Sequence, residues 1–174
     1  FKNSAEKLDL PLPFSISEVK SQILDLIKAN GLEDGAIRLV LTGGYSDDGY
    51  APSTPNFLIL QHHAPSYAPE VFENGVKLLL HEHMRTFPEI KTTNYIVGIN
   101  RLKEMQKANA IDLLFHVNGQ IYETTRANFF IVTQDDVLVT PINSVLKGVT
   151  RKQLLEIARK HYTVEERIVR MEEL

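Results

Sequence analysis

Three stretches of the chain carry side chains that could do chemistry. The run Leu146-Lys147-Gly148-Val149-Thr150-Arg151 stands immediately before a helical pattern. Gly148 lets the backbone turn tightly there. The amides of Val149 and Thr150 then become orphan donors at a helix N-terminus, where the dipole adds partial positive charge. Such a terminus takes an anion, a phosphate above all, and the Thr150 hydroxyl could donate once more. Taken alone, the same residues read as a plain N-cap at Thr150. Lys91 is the second feature, placed after the Pro88 break and before a helical segment. A lysine pocketed at such a junction is desolvated, its pKa falls, and its amine is freed for Schiff-base chemistry. A solvated surface lysine is the plainer account. Glu123 is the third: it ends a strand-like run that follows Asn118-Gly119, and Asn128 lies five residues beyond it.

Other chemistries lose their footing early. The chain has no cysteine, so disulfides, thiolate nucleophiles and cysteine-based metal centres are excluded. His62-His63 and His81-Glu82-His83 are the histidine clusters, and no third ligand stands at a recognisable spacing, so no metal is expected. No G-x-S-x-G elbow, P-loop or G-x-G-x-x-G is present. The 174 residues carry 19 Lys and Arg against 22 Asp and Glu, a formal charge of −3, with no basic stripe, so nucleic acid is not an expected partner. The longest apolar runs fall far short of the roughly 20 residues of a membrane helix. A composition 43% hydrophobic and 24% charged is that of a folded chain able to bury a sizeable core.

The elements that must position the three features follow from periodicity. Ser15 and Glu18 have capping-box spacing, and Val19, Ile23, Leu26 and Ile27 then share a helical face that Gly31 closes. Ile37–Leu41 and Phe57–Leu60 read as strands around an exposed loop at 45–55; 62–69 reads as loop and 75–83 as a strand. The Phe87-Pro88 break predicts a domain junction, with residues 1–86 in a smaller N-terminal domain and 87–174 opening a larger, cofactor-binding one. A helix is predicted over 93–108. Asn118-Gly119 then joins two strand-like runs, the strongest short hairpin signal. A second hairpin turns at Gln134-Asp135-Asp136, a helix follows over 149–160, and a last strand over 162–169. Antiparallel hairpins between isolated helices predict an α+β fold.

A Schiff-base lysine, a phosphate cradle and a lone carboxylate are the parts that pyridoxal 5′-phosphate requires. That cofactor is an electron sink only while its ring nitrogen stays protonated, and a carboxylate beside the nitrogen keeps it so. Lys91-Thr92-Thr93-Asn94-Tyr95, Gly119 to Phe130 with Glu123 and Asn128, Thr140-Pro141 and Gly148-Val149-Thr150-Arg151 occur in one order. In these elements the chain resembles the class IV pyridoxal-phosphate-dependent aminotransferases, a family that includes branched-chain and D-amino-acid aminotransferases and aminodeoxychorismate lyase. The likeness runs more weakly through Asn3-Ser4-Ala5 and the strand from Arg38 to Gly44.

The resemblance implies a two-domain α+β fold and a cytoplasmic homodimer. It implies transfer of an amino group between an amino acid, branched-chain or similarly apolar, and a 2-oxo acid. Pyruvate elimination by the same cofactor, the lyase reaction, is the alternative within the family; a non-catalytic binding module of the same fold is a more distant one. Lys91 matches the cofactor-bearing lysine, Glu123 the carboxylate at the ring nitrogen and Tyr95 the phenol beside the ring oxygen. Val149 and Thr150, set by Gly148, match the phosphate cradle. Asn128 matches a supporting residue behind Glu123, and Arg126 a neighbour on the substrate side. Asp112 and Glu104 fall outside the motif and are expected to be bystanders. The family's phosphate-binding arginine would precede Phe1, and its further strand and substrate contacts would follow Leu174, so a chain truncated at both ends is expected. Where the family reads T-R-G, this chain has Thr42-Gly43-Gly44.

Overall fold

Ser15 begins the longest helix as its sequence predicts. Its Oγ accepts from the Glu18 amide while the Glu18 carboxylate accepts from the Ser15 amide at 2.7 Å, a complete capping box. A computed structural model describes residues 1–32 and 34–174, and by compactness these form two units, Phe1–Pro69 and Glu70–Leu174. The first unit holds helices α1 (Lys2–Glu6) and α2 (Ile16–Asn30) and strands β1 (Gly35–Thr42) and β2 (Asn56–His63). The two strands pair antiparallel along their whole length, from Gly35 opposite His63 to Thr42 opposite Asn56.

In the second unit come α3 (Pro69–Asn74), β3 (Leu78–Glu82), α4 (Ile96–Asn100), α5 (Leu102–Ala108), β4 (Asp112–Val117) and β5 (Gln120–Thr124). After them follow β6 (Ile131–Val132), β7 (Leu138–Pro141), α6 (Val149–Ala158), β8 (Val164–Arg167) and β9 (Val169–Arg170). One sheet has the order β3-β4-β5-β9, with β3 parallel to β4 and the other pairs antiparallel. A second has the order β6-β7-β8, with β7 and β8 parallel. The mixture of hairpins and parallel pairs is the expected α+β arrangement.

Two apolar clusters hold this unit together. Leu114, Ile121, Val139 and Val169 form one, and Met105, Leu113 and Phe115 the other. Leu113 and Leu114 are successive on β4, so alternation sends one to each cluster and the strand is buried on both sides. The β4–β5 hairpin turns at Asn118 and Gly119, with φ of 49° and 75°, the left-handed pair that such a turn needs.

Several elements differ from their sequence expectation. The helix predicted over 93–108 is two helices, α4 and α5, interrupted at Arg101, whose amide is shared between Val97 O and Gly98 O at 3.2 Å each. The strand predicted over 162–169 is β8 and β9, which join different sheets. His62 and His63 belong to β2 rather than to a loop, and the short helices α1 and α3 carry no periodic signal of adequate length. The compact division after Pro69 leaves β3, hydrogen-bonded to β4, with the second unit.

Candidate active site

Lys91 stands between β3 and α4 on an irregular segment that must be tied down from outside. Ile90 does part of this by burial, at 7% exposure. Arg85 does the rest. Its guanidinium donates through Nη1 to Pro88 O at 3.0 Å and through Nη2 to Ile90 O at 2.6 Å. Lys91 itself is exposed on this chain and lines a cleft with Arg85, Tyr95, Glu123, Arg126, Asn128 and Leu146. Tyr95 is the N-cap residue of α4, one turn after the lysine, and Asn94 Oδ1 accepts from the Ile96 amide.

Glu123, on β5, is 5% exposed. A buried carboxylate needs donors, and three converge here. Arg85 Nη1 reaches Oε1 at 3.0 Å, while the Leu146 amide at 2.9 Å and Asn128 Nδ2 at 3.3 Å reach Oε2. Burial pushes the Glu123 carboxyl above the usual range, against the opposing pull of the Leu146 amide, of Arg85 and of the Lys91 charge.

Asn128 ties this carboxylate to the run before α6. Its Nδ2 also donates to Leu146 O at 2.7 Å. Gly148 is required beyond it, because a Cβ at that position would overlap Asn128 Oδ1. The cap residue of α6 is Gly148, in extended backbone, and not Thr150. No side chain caps this terminus, so Val149 and Thr150 occupy the first two helical positions, both exposed to solvent. Their amides are the orphan donors of a helix start. Arg151 turns away from the terminus; it is 4% exposed and bonds Pro141 O at 3.1 Å and Glu166 at 2.8 Å.

Sequence reasoning overlooked two partners. Arg85 carried no motif; the signal available was that a buried Glu123 must have a counter-charge. Asp112, expected to be a bystander, is 8% exposed and accepts from Thr125 Oγ1 and from the Leu113 amide. It thereby anchors the turn between Glu123 and Asn128. Glu104, by contrast, pairs with Arg101 at the surface. His81 and His83 lie on β3 and just after it, with rings 6.4 Å apart, and His83 packs edge-on against Phe115 at 4.9 Å.

The fold and site define an α+β chain with an amine, a buried carboxylate and an uncapped helix start brought to one unit. The model of the family "Amino-transferase class IV" matches residues 1–174, and the chain belongs to the class IV aminotransferases. It is 28% identical to the D-alanine aminotransferase of Bacillus licheniformis over 178 residues, covering 98% of this chain and 62% of that protein. It superposes with a TM-score of 0.86 on a putative 4-amino-4-deoxychorismate lyase of Legionella pneumophila, at 24% identity, covering 98% of this chain and 65% of that one. It superposes with a TM-score of 0.86 on the branched-chain amino acid aminotransferase of Escherichia coli, at 26% identity, covering 99% of this chain and 61% of that one. The chain thus spans less than two thirds of the length of these relatives.

Class IV aminotransferases use pyridoxal 5′-phosphate. The donor set fits that group: an amine for its carbonyl, a buried carboxylate for its ring nitrogen, and uncapped amides for its phosphate. The space enclosed around Lys91 and Glu123 by this chain is about 30 Å³, so these residues supply functional groups rather than a closed chamber.

Proposed function

We propose that the protein to which this chain belongs transfers an amino group between an amino acid, branched-chain or similarly apolar, and a 2-oxo acid. The observation that carries this reading is the convergence of Arg85, Asn128 and the Leu146 amide on Glu123, in the cleft that Lys91 and Tyr95 also line. Pyridoxal 5′-phosphate, when bound, draws electrons from the substrate α-carbon into its protonated ring. Glu123 would accept from the protonated ring nitrogen and so keep the proton on the ring, and its three donors hold the carboxylate in place for that task. Lys91 Nζ would be the group that holds the cofactor's carbonyl carbon, and as a free amine it would carry a proton to and from the substrate α-carbon. Tyr95 orients the ring through its phenol. The Val149 and Thr150 amides hold the phosphate, and Gly148 aims them. Asn128 fixes Glu123 and the Leu146 backbone together. The cofactor-binding part begins near Phe87, and the working enzyme is a cytoplasmic homodimer.

Borohydride reduction of the cofactor-loaded full-length protein, followed by peptide mapping, tests the assignment. The pyridoxyl group is expected on the peptide containing Lys91, and Lys91→Ala is expected to abolish the visible absorption of the bound cofactor. Labelling of Lys77 or Lys147 instead would overturn it. Turnover with a panel of amino acids and 2-oxoglutarate is expected; pyruvate release from aminodeoxychorismate without amino transfer would assign the lyase reaction instead.

A further inference from the structure

Arg126 stands apart from the other cations of the cleft. Arg85 is committed to Pro88 O, Ile90 O and Glu123, and Lys91 is reserved for the carbonyl chemistry proposed above. Arg126 lines the same cleft, is exposed, and makes no side-chain hydrogen bond or ion pair among the described residues.

The turn that presents Arg126 is braced along its length. Thr124 Oγ1 accepts from the amides of Arg126 at 3.4 Å and Ala127 at 2.9 Å and donates to Ala127 O at 3.2 Å. The Thr124 amide donates to Ala127 O at 2.9 Å, and Glu123 and Asn128 form an isolated β-bridge at the base. Thr125 is held by Asp112 on β4, and its methyl lies 3.0 Å from where a Cβ on Gly98 of α4 would stand. Arg126 thus leaves a turn fixed to three elements, so the origin of its side chain is set relative to Lys91 and Glu123.

The charge of the cleft points to what this guanidinium meets. Among the described residues, Glu123 is the one acid lining the cleft, and it is already paired with Arg85. The positive charge of Arg126 therefore has no counter-ion in the cleft among the described residues. A guanidinium offers a planar fork that pairs bidentately with a carboxylate. Amino acids and 2-oxo acids each bring at least one carboxylate to a site of this family.

Resting on the function proposed above, we infer that Arg126 is the residue that binds a substrate carboxylate. Two carboxylates could supply the group: the α-carboxylate common to all substrates, and the distal carboxylate of a dicarboxylic partner such as 2-oxoglutarate.

The test uses the full-length, cofactor-loaded protein and its Arg126→Ala, Arg126→Gln and Arg126→Lys variants. Non-reacting glutarate and 4-methylpentanoate are titrated by the absorbance change of the bound cofactor, and KM and kcat are measured beside them. Arg126→Ala and Arg126→Gln are expected to weaken carboxylate binding about ten- to a hundredfold, the effect of losing one charge-assisted contact. KM should rise with little change in kcat, and Arg126→Lys should recover part of the loss. Weakening of both probes assigns the α-carboxylate; weakening of glutarate alone assigns the distal one. Binding of both probes within twofold of wild type would overturn the inference, and so would a loss confined to cofactor affinity. The absorption of the Lys91-bound cofactor, read in the same samples, separates this failure from failure of the proposed function.

Discussion

Gly148 lies directly against Asn128, so closely that any β-carbon at position 148 would overlap Asn128 Oδ1. Asn128 cannot give way cheaply, because its Nδ2 holds both Leu146 O and Glu123 Oε2. Gly148→Ala is therefore expected to displace Asn128 and loosen the run that leads into α6. The expected cost is about 1–3 kcal/mol in denaturant unfolding, as for other overpacked sites, together with weaker cofactor retention. Asn128→Ser removes the overlapping atom, so Gly148→Ala should cost less in an Asn128→Ser background than alone. Equal costs in both backgrounds would show that the two positions are not coupled. Thr150→Ala, which leaves the backbone donors intact, should weaken cofactor binding less than Gly148→Ala does.

Arg85 joins two things that the proposed chemistry needs at a fixed separation, the turn carrying Lys91 and the carboxylate of Glu123. Arg85→Met would leave that carboxylate buried with its counter-charge removed. A loss of about 3 kcal/mol in unfolding free energy is expected. Arg85→Lys should not restore it, because a single ammonium lacks the fork that spans Pro88 O, Ile90 O and Glu123. Full stability in Arg85→Lys would mean that charge alone, and not the geometry of the guanidinium, is what the site requires.

Glu123→Gln keeps the size of the side chain and removes its charge. Cofactor binding and attachment at Lys91 should survive, since neither depends on the ring nitrogen. Turnover should fall on the order of a hundredfold or more, because the interaction grows as charge develops in the transition state. The measurement is single-turnover kinetics of the full-length protein alongside its absorption spectrum. Glu104→Gln is the control, its carboxylate lying at the surface with Arg101. Near-normal turnover in Glu123→Gln would remove the carboxylate from the proposed mechanism.

Two glutamates should make opposite contributions to the pH dependence of stability. For Glu166, burial works upward but the Arg151 and Arg159 guanidiniums outweigh it and hold the carboxyl below the usual range. Its contribution is present above the ordinary carboxylate value and is lost as pH falls through the lowered one. Glu123 is raised by its burial, so the folded chain keeps that proton where the unfolded chain has lost it. Its contribution is present below the ordinary value and is lost as pH rises through the raised one. In cofactor-free protein, thermal unfolding followed from about pH 3 upward should show Glu166→Gln flattening the acid limb and Glu123→Gln flattening the limb above it. An unchanged acid limb in Glu166→Gln would contradict the ion pairs at that residue.

Local physics made much of this chain legible from its residues alone. The capping box of Ser15 and Glu18, the Asn118-Gly119 turn and the helix start after Gly148 each depend on a few neighbouring residues. Their geometry is written in short-range steric and hydrogen-bonding rules. Lys91, Glu123 and Gly148-Val149-Thr150 stood out for the same reason, as residue types whose chemistry is intrinsic. Tertiary structure decided what surrounds them. Arg85 has no spacing that marks it, and Asp112 reads as an ordinary strand residue; both take their roles from partners 38 and 13 positions away. The cap on α6 is Gly148 rather than Thr150, and the requirement for glycine there comes from Asn128, distant in sequence, which occupies the space a side chain would need. The division of the last strand into β8 and β9 likewise depends on the different sheets that the two segments join. Periodicity reports which face of an element is apolar, but the partner that buries a charge or claims a backbone donor is chosen only when the chain folds back on itself.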